Sequence, residues 1–279
     1  MTAAQLCCLC PYLRGQATCV GDTVSVTRTP RSASRALILS EPARAGLDLS
    51  ALLATWPVLA GARRGDGHPV LVLPGLLTGD PATLLLRSVL RALGHHVVGW
   101  RLGTNHGPTG RVVQELRDRL DRLRQTSGRR VSLVGWSLGG LYAQELARAA
   151  PGSVRGLVTL GTPVTRRVPW LQGASRIVDG VGRQPRAVAA LPRPWAERGA
   201  LRVPATSVYT RRDGVVDWAA CRYDRRPHRE NVEVRGSHLG LAHNPAVLWL
   251  LADRLGMSET AWQPFRPPLR LRPLFPRGR

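Results

Sequence analysis

Two periods of apolar residues alternate along the chain. Residues 42–59 carry apolar side chains at helical spacing and predict an amphipathic helix ahead of any sheet. A polar turn, Arg63-Arg64-Gly65-Asp66-Gly67, follows. Residues 69–73, Pro-Val-Leu-Val-Leu, are then continuously apolar. Such a run marks a strand buried on both faces of a parallel sheet. The alternation continues with a helix over 81–93, a strand over 96–100 and a helix over 110–124, where Val112, Val113, Leu116, Leu120 and Leu123 share a face. Residues 130–134 read as a strand, 138–150 as a helix and 154–160 as a strand. After a break come strands over 203–209 and 232–235, and a helix over 245–255. Strands alternating with helices imply right-handed crossovers and a mostly parallel sheet with helices on both faces. The fold class is therefore α/β, with about six strands.

Residues 163–202 interrupt this pattern with Pro163, Pro169, Pro185, Pro192 and Pro194. An insertion of that length after a strand predicts a small cap over a site. The body of the domain is expected over 36–256, followed by a Pro/Arg-rich tail over 257–279. Trp262, Phe265 and Phe275 are candidates for pinning that tail to the body. Residues 1–35 lack clear apolar periodicity and are expected to be a disordered or artefactual extension, as from a misassigned start codon. They also lack the basic start and apolar core of a secretory signal.

The strongest chemical signal lies where a buried strand runs directly into Gly135-Trp136-Ser137-Leu138-Gly139 and a helix follows at once. So tight a turn forces strained backbone angles on its central residue and tolerates only small neighbours. It lifts the Ser137 hydroxyl above the sheet edge, beside a helix N-terminus. A serine needs a base to take its proton, and the base needs an acid to orient it. In this architecture the chain order is serine, acid, histidine. His238, in Gly236-Ser237-His238-Leu239-Gly240 after the last strand, is the expected base. His243 is its rival, closer to the next helix start. His95, His96 and His106 precede the serine, and His228 precedes the last strand. Asp213, leaving the strand over 203–209, is the expected acid. Asp217 is the alternative, better suited to capping residues 218–221. An oxyanion needs two N–H donors. Leu138 is expected to give one, and the loop Leu73-Pro74-Gly75-Leu76-Leu77 the other, with Leu76 preferred over Leu77. Leu77, Trp136 and Asn105 are candidate pocket residues, alongside Trp100, Trp170, Leu171 and His106.

With these residues the chain resembles the α/β-hydrolase superfamily over about residues 66–256. Gly-Trp-Ser-Leu-Gly-Gly is similar to the nucleophile elbow of the carboxylesterase of biotin synthesis. Leu73-Pro-Gly-Leu-Leu, Gly99-Trp-Arg-Leu-Gly-Thr-Asn105 and Arg212-Asp-Gly-Val-Val resemble bacterial esterase- or lipase-like hydrolases. The resemblance implies a sheet of eight strands, of which two leading ones are not visible here, so a shortened version is expected. Many members carry His-Gly before the oxyanion donor, where this chain has Pro74-Gly75. The activity implied is hydrolysis of a small-molecule or lipid ester through an acyl-enzyme, without cofactor or metal. Acyl transfer through the same three residues, or a non-catalytic binding protein of the same fold, remain the alternatives.

Composition changes this picture little. The formal charge is +22 and the pI about 11.6, which raises nucleic acid or an anionic membrane as partners. All 40 cationic residues are arginine and they are scattered through every element, the mark of a coding bias rather than of a patch. Nucleic acid is therefore not the expected partner, although the charge permits peripheral contact with anionic lipid. Cys7, Cys8, Cys10 and Cys19 precede the expected fold and lack the second pair or histidine that a metal site needs. No apolar run reaches the ~18–20 residues of a membrane helix, and the cytoplasm is the expected location.

Overall fold

A computed structural model describes residues 35–164 and 200–276 of the chain. Residues 1–34 of the extension expected over 1–35, most of the expected cap (165–199, with Trp170 and Leu171) and residues 277–279 lie outside the described residues.

Two helices lead the domain, α1 (Arg35–Leu39) and α2 (Glu41–Ala60). Then come β1 (Pro69–Leu73), a 3-10 turn (Asp80–Thr83), α3 (Leu84–Ala92), β2 (His96–Val98), α4 (Gly110–Ser127), β3 (Val131–Trp136), α5 (Leu138–Ala149) and β4 (Val154–Leu160). After the undescribed stretch follow β5 (Ala205–Tyr209), a 3-10 turn (Trp218–Cys221), β6 (Arg229–Glu233), a second such turn (Leu239–Ala242) and α6 (Pro245–Leu255). The six strands form one sheet in the order β2-β1-β3-β4-β5-β6, all parallel. The chain steps outward from β1 to β2, then crosses back to β3 on the other side. In open α/β sheets this reversal opens a crevice at the carboxyl ends of the two strands.

The apolar runs of β1 and β3 serve two cores because alternate side chains face opposite ways. Val70, Val72, Val134 and Trp136 pack with α2, α3 and α6. Leu71, Leu73, Val131 and Leu133 pack with α4 and α5. Phe275 joins the first core, its ring 4.9 Å from that of Phe265, so the residues after α6 lie against the body.

Several element boundaries differ from the periodic reading, three of them for a clear local reason. Strand β2 stops at Val98 because the Asp80 carboxylate takes the next N–H groups, of Trp100 and Arg101, at 2.9 Å each. Gly99 leaves room for that carboxylate, since a Cβ there would come within 2.1 Å of Asp80 Oδ1. Helix α4 runs on to Ser127 through a polar last turn and ends at Gly128, whose φ of 66° is left-handed. Strand β6 covers 229–233 rather than 232–235, paired from Ala205↔Arg229 to Tyr209↔Glu233. It is an edge strand carrying Arg229, Glu230 and Glu233, so its apolar pattern is weak. Among the described residues no helix is long and apolar enough to cross a membrane.

Candidate active site

The turn from β3 into α5 is built by exclusion. Ser137 has φ 53° and ψ −120°, a conformation that an L-residue holds only under constraint. Its N–H donates to Leu160 O at 2.8 Å, and its carbonyl accepts from Thr162 Oγ1 at 2.8 Å. A Cβ on Gly135 would lie 2.4 Å from Gly140 Cα, and one on Gly139 would lie 2.2 Å from Leu73 O. Both backbones are already in the way, so the two glycines of the motif are obligatory. Ser137 is left half-buried at the edge of the crevice, while its neighbours in β3 are buried.

Three predicted residues meet here. His238 Nε2 is 3.1 Å from Ser137 Oγ, and His238 Nδ1 is 2.7 Å from Asp213 Oδ2. A carboxylate only accepts, so Nδ1 carries the proton and Nε2 is free to accept from the serine hydroxyl. Asp213 is 6% exposed and His238 2%. The other carboxylate oxygen, Asp213 Oδ1, accepts from Val215 N and Val216 N at 2.8 and 2.7 Å, which fixes the acid's rotamer. Burial alone would lower the His238 pKa. The charge and hydrogen bond of Asp213, and then the charge of Glu41, outweigh it and hold the imidazole above the ordinary histidine value. Gly161, at φ 55°, lets the end of β4 pass the ring, as a Cβ there would be 3.0 Å from His238 Nδ1. The rival residues are occupied elsewhere. Asp217 Oδ1 accepts from Ala219 N at 3.0 Å as a helix cap, and His243 Nε2 lies 2.9 Å from Ala45 O.

The loop after β1 faces Ser137 across the crevice, and a Cβ on Gly75 would sit 3.4 Å from Ser137 Cβ. Residues 75–78 form a turn closed by Thr78 N donating to Gly75 O, with Leu77 at φ 57°. The Leu77 N–H is committed to Asn105 O at 2.8 Å. Among the described residues, no backbone acceptor lies against the N–H of Leu76 or of Leu138. Leu138 opens α5, where the first N–H groups of a helix have no intrahelical partner.

Three of the candidate pocket residues, Asn105, Trp136 and Trp100, are buried. Asn105 is 0% exposed, and its polar groups clasp the loop. Its Nδ2 donates to Pro74 O at 3.0 Å, its N–H to Thr78 O at 2.8 Å, and its Oδ1 accepts from Tyr142 OH at 3.1 Å. Trp136 is buried, and its indole N–H donates to His238 O at 3.1 Å, bracing the base from behind. Trp100 is 1% exposed and belongs to the core beside α4 and α5. Leu77, by contrast, is 45% exposed.

Helix α2 contributes what the sequence reading missed. Glu41 Oε1 accepts from Gly214 N at 2.8 Å, and Oε2 accepts from Leu239 N at 3.0 Å. Asp48 Oδ2 accepts from Ser237 N and Ser237 Oγ at 3.1 and 2.9 Å, and its Oδ1 from Asn244 Nδ2 at 2.8 Å. The signal was present. Glu41 and Asp48 lie seven residues apart, two helical turns, on the same buried stripe as Leu52 and Leu59.

No family model matches the chain, and no curated protein matches it in sequence. Solved structures do. A mature lipase of Bacillus licheniformis superposes with a TM-score of 0.52 at 16% identity, over 69% of this chain and 94% of that one. The Cfl2 protein of Burkholderia cenocepacia gives 0.50 at 17% identity, over 69% and 90%. An enzyme described as degrading N-acyl homoserine lactones gives 0.50 at 19%, over 68% and 94%. Six parallel strands in this order, with a strained serine between β3 and α5, agree with that likeness: the chain has the α/β-hydrolase fold in a shortened form.

Proposed function

We propose that the protein is a serine hydrolase that cleaves carboxylic esters through an acyl-enzyme on Ser137. The reading rests on one observation. The hydroxyl of a strained, half-buried serine lies 3.1 Å from an imidazole whose far nitrogen is 2.7 Å from a buried carboxylate. Ser137 Oγ attacks the ester carbonyl carbon as His238 Nε2 takes its proton. Asp213 stabilises the imidazolium and keeps its tautomer. The developing oxyanion accepts from the N–H groups of Leu76 and Leu138, which the fold leaves free at the crevice. His238 then protonates the departing alkoxide. Water, deprotonated by the same imidazole, releases the acid and restores Ser137. No step calls for a metal or an organic cofactor.

Two observations favour an ester with an apolar acyl group. Leu77 and Leu239, 45% and 38% exposed, directly neighbour Leu76 and His238 in the chain and present apolar surface beside the reacting groups. Among the structural neighbours, one is described as a lipase and one as an enzyme degrading N-acyl homoserine lactones, compounds that carry an acyl group.

Hydrolysis of p-nitrophenyl esters of graded chain length tests the proposal, with wild type set against Ser137→Ala. A loss on the order of 10^4-fold or more is expected in the variant, together with loss of labelling by an organophosphonate. Unchanged hydrolysis in Ser137→Ala would overturn it.

A further inference from the structure

Glu41 stands at the start of α2, far in sequence from the groups it holds. It is 2% exposed. Burying a carboxylate costs several kcal/mol unless partners compensate, and a stripe shared with Leu52 and Leu59 would pack more readily with another leucine. The partners here are specific. One oxygen takes the N–H of Gly214, the residue after Asp213. The other takes the N–H of Leu239, the residue after His238. Arg44 donates to Glu41 Oε1 at 2.8 Å and to the carbonyl of Arg212, the residue before Asp213, at 2.6 Å. The space is closed as well: a Cβ on Gly214 would come within 2.7 Å of Leu37 O and 3.0 Å of Glu41 Cγ. A single carboxylate thus joins the loop of the acid to the loop of the base.

We propose that Glu41 is a positioning residue for the Asp213–His238 pair, fixing the separation of their two loops and placing a second negative charge before the imidazole. This rests on the reading of Ser137, Asp213 and His238 given above. The distances explain why one residue serves both purposes. Asp213 and His238 leave different strands, β5 and β6; Thr210 Oγ1 in the first loop donates to Gly236 O in the second at 3.1 Å, and Glu41 adds a second tie nearer the 2.7 Å contact between Nδ1 and Oδ2. Small errors in such a contact are costly, since a displacement of about 1 Å lowers rates by about 10^2-fold. Around His238 stand Asp213 from the β5 loop, Ser137 and Trp136 from the β3 end, Gly161 after β4, and Glu41 from α2, with Arg44 behind it. Asp48 grips Ser237, the residue before the base, so α2 touches the base loop on both sides of the histidine.

Glu41→Gln keeps the shape of the side chain and removes its charge. Two readouts apply, ester kinetics and an NMR titration of the His238 ring, which needs no substrate. The variant is expected to lose about tenfold or more in kcat with KM nearly unchanged. Its His238 pKa is expected to fall by about half a unit or more. Arg44→Gln removes the opposing charge and is expected to move the same pKa upward. A Glu41→Gln protein with a lower Tm, but with kcat and the His238 pKa unmoved, would reduce Glu41 to a structural clamp and overturn the proposal. If that variant does not fold, Arg44→Gln decides alone, an unmoved pKa being the overturning result. Should the wild type neither hydrolyse esters nor take up a phosphonate, the functional reading falls, while the titration still decides the place of Glu41.

Discussion

Strand β3 carries a serine–histidine–aspartate set at each of its ends. At the carboxyl end are Ser137, His238 and Asp213. At the amino end, Ser132 Oγ lies 2.9 Å from His68 Nε2, and His68 Nδ1 lies 2.6 Å from Asp66 Oδ1. By distance the lower set is as good as the upper. It differs in everything else. Ser132 sits inside the strand, paired with Val70 and Gly156, and is 3% exposed. It lines a small cleft of about 50 Å³, room for a few waters. Asp66 is shared with Arg129 and Arg155. Burial lowers the His68 pKa, the Asp66 hydrogen bond only partly opposes this, and the charge of Arg155 lowers it further. At the upper set the acid wins and the imidazole is held ready to become a cation. Three side chains in a row do not make a nucleophile. What sets Ser137 apart from Ser132 is a strained turn, partial exposure and the sign of the field at its histidine.

The largest expected effect separates the two serines. Ser137→Ala is expected to abolish ester hydrolysis, as above. Ser132→Ala is expected to leave kcat within about twofold. It strands His68 Nε2 in a buried site and so costs about 1–3 kcal/mol of stability. Kinetics and urea melts on both variants check this, and a rate loss in Ser132→Ala with stability intact would erase the distinction. The acids sharpen it. In Asp213→Asn an amide faces His238 Nδ1 and favours the wrong tautomer, so kcat is expected to fall by about 10^4-fold. Asp66→Asn is expected to change stability alone, since its histidine serves no reacting serine.

A smaller effect tests the oxyanion donors proposed beside the upper serine. Asn105 holds the loop of Leu76 by three hydrogen bonds, to Pro74 O, Thr78 O and Leu77 N. Asn105→Ala leaves the two backbone bonds in place and removes the side-chain bond to Pro74 O, and is expected to lower kcat by about tenfold with KM little changed, because the loop loses one of its three ties. A change confined to KM would return Asn105 to the substrate pocket, where the sequence reading had put it.

How much of this was legible follows from the range of each interaction. Strand β1 was readable because burial on both faces writes a continuous apolar run, and β3 and β4 because they are nearly as buried and mostly apolar. The turn at Ser137 was readable because strand, Gly-x-Ser-x-Gly and helix follow one another directly, although only Gly135 is forced by backbone close in the chain, at Gly140, while Gly139 is forced by Leu73 O. His238 and Asp213 followed from chain order. The role of Asn105 was not readable, for a buried asparagine and one lining a pocket look alike in a sequence. Glu41 was harder still. Its partners are 173 and 198 residues away, and two acidic residues on an apolar helix stripe give only a faint local sign of them. The lower set escaped notice because neither Asp66 nor His68 lies in a motif, and Ser132 reads as one polar residue in a buried strand.

The weakest effect on rate is also the one that sets the two ends of β3 against each other in a single experiment. His238 must be neutral to accept the serine proton. Its pKa is held above the ordinary 6.5, so kcat/KM is expected to rise with pH through a midpoint above that value and to fall about tenfold per unit below it. At the lower end the sign reverses. Burial lowers the pKa of His68, and that of its neighbour His95 to about 4. A folded-state pKa below the unfolded one means that the unfolded chain binds more protons. Stability is then intact above 6.5 and is lost as pH falls from 6.5 toward 4, with His95 contributing about 3 kcal/mol. Activity is therefore expected to fade first and reversibly, over a range in which protonation of His238 raises Tm slightly rather than lowering it, before the fold weakens. Parallel pH series of kcat/KM and Tm measure both limbs. If the two decline together over one pH range, the upper limb reports unfolding rather than protonation of His238, and the contrast between the two histidines is lost.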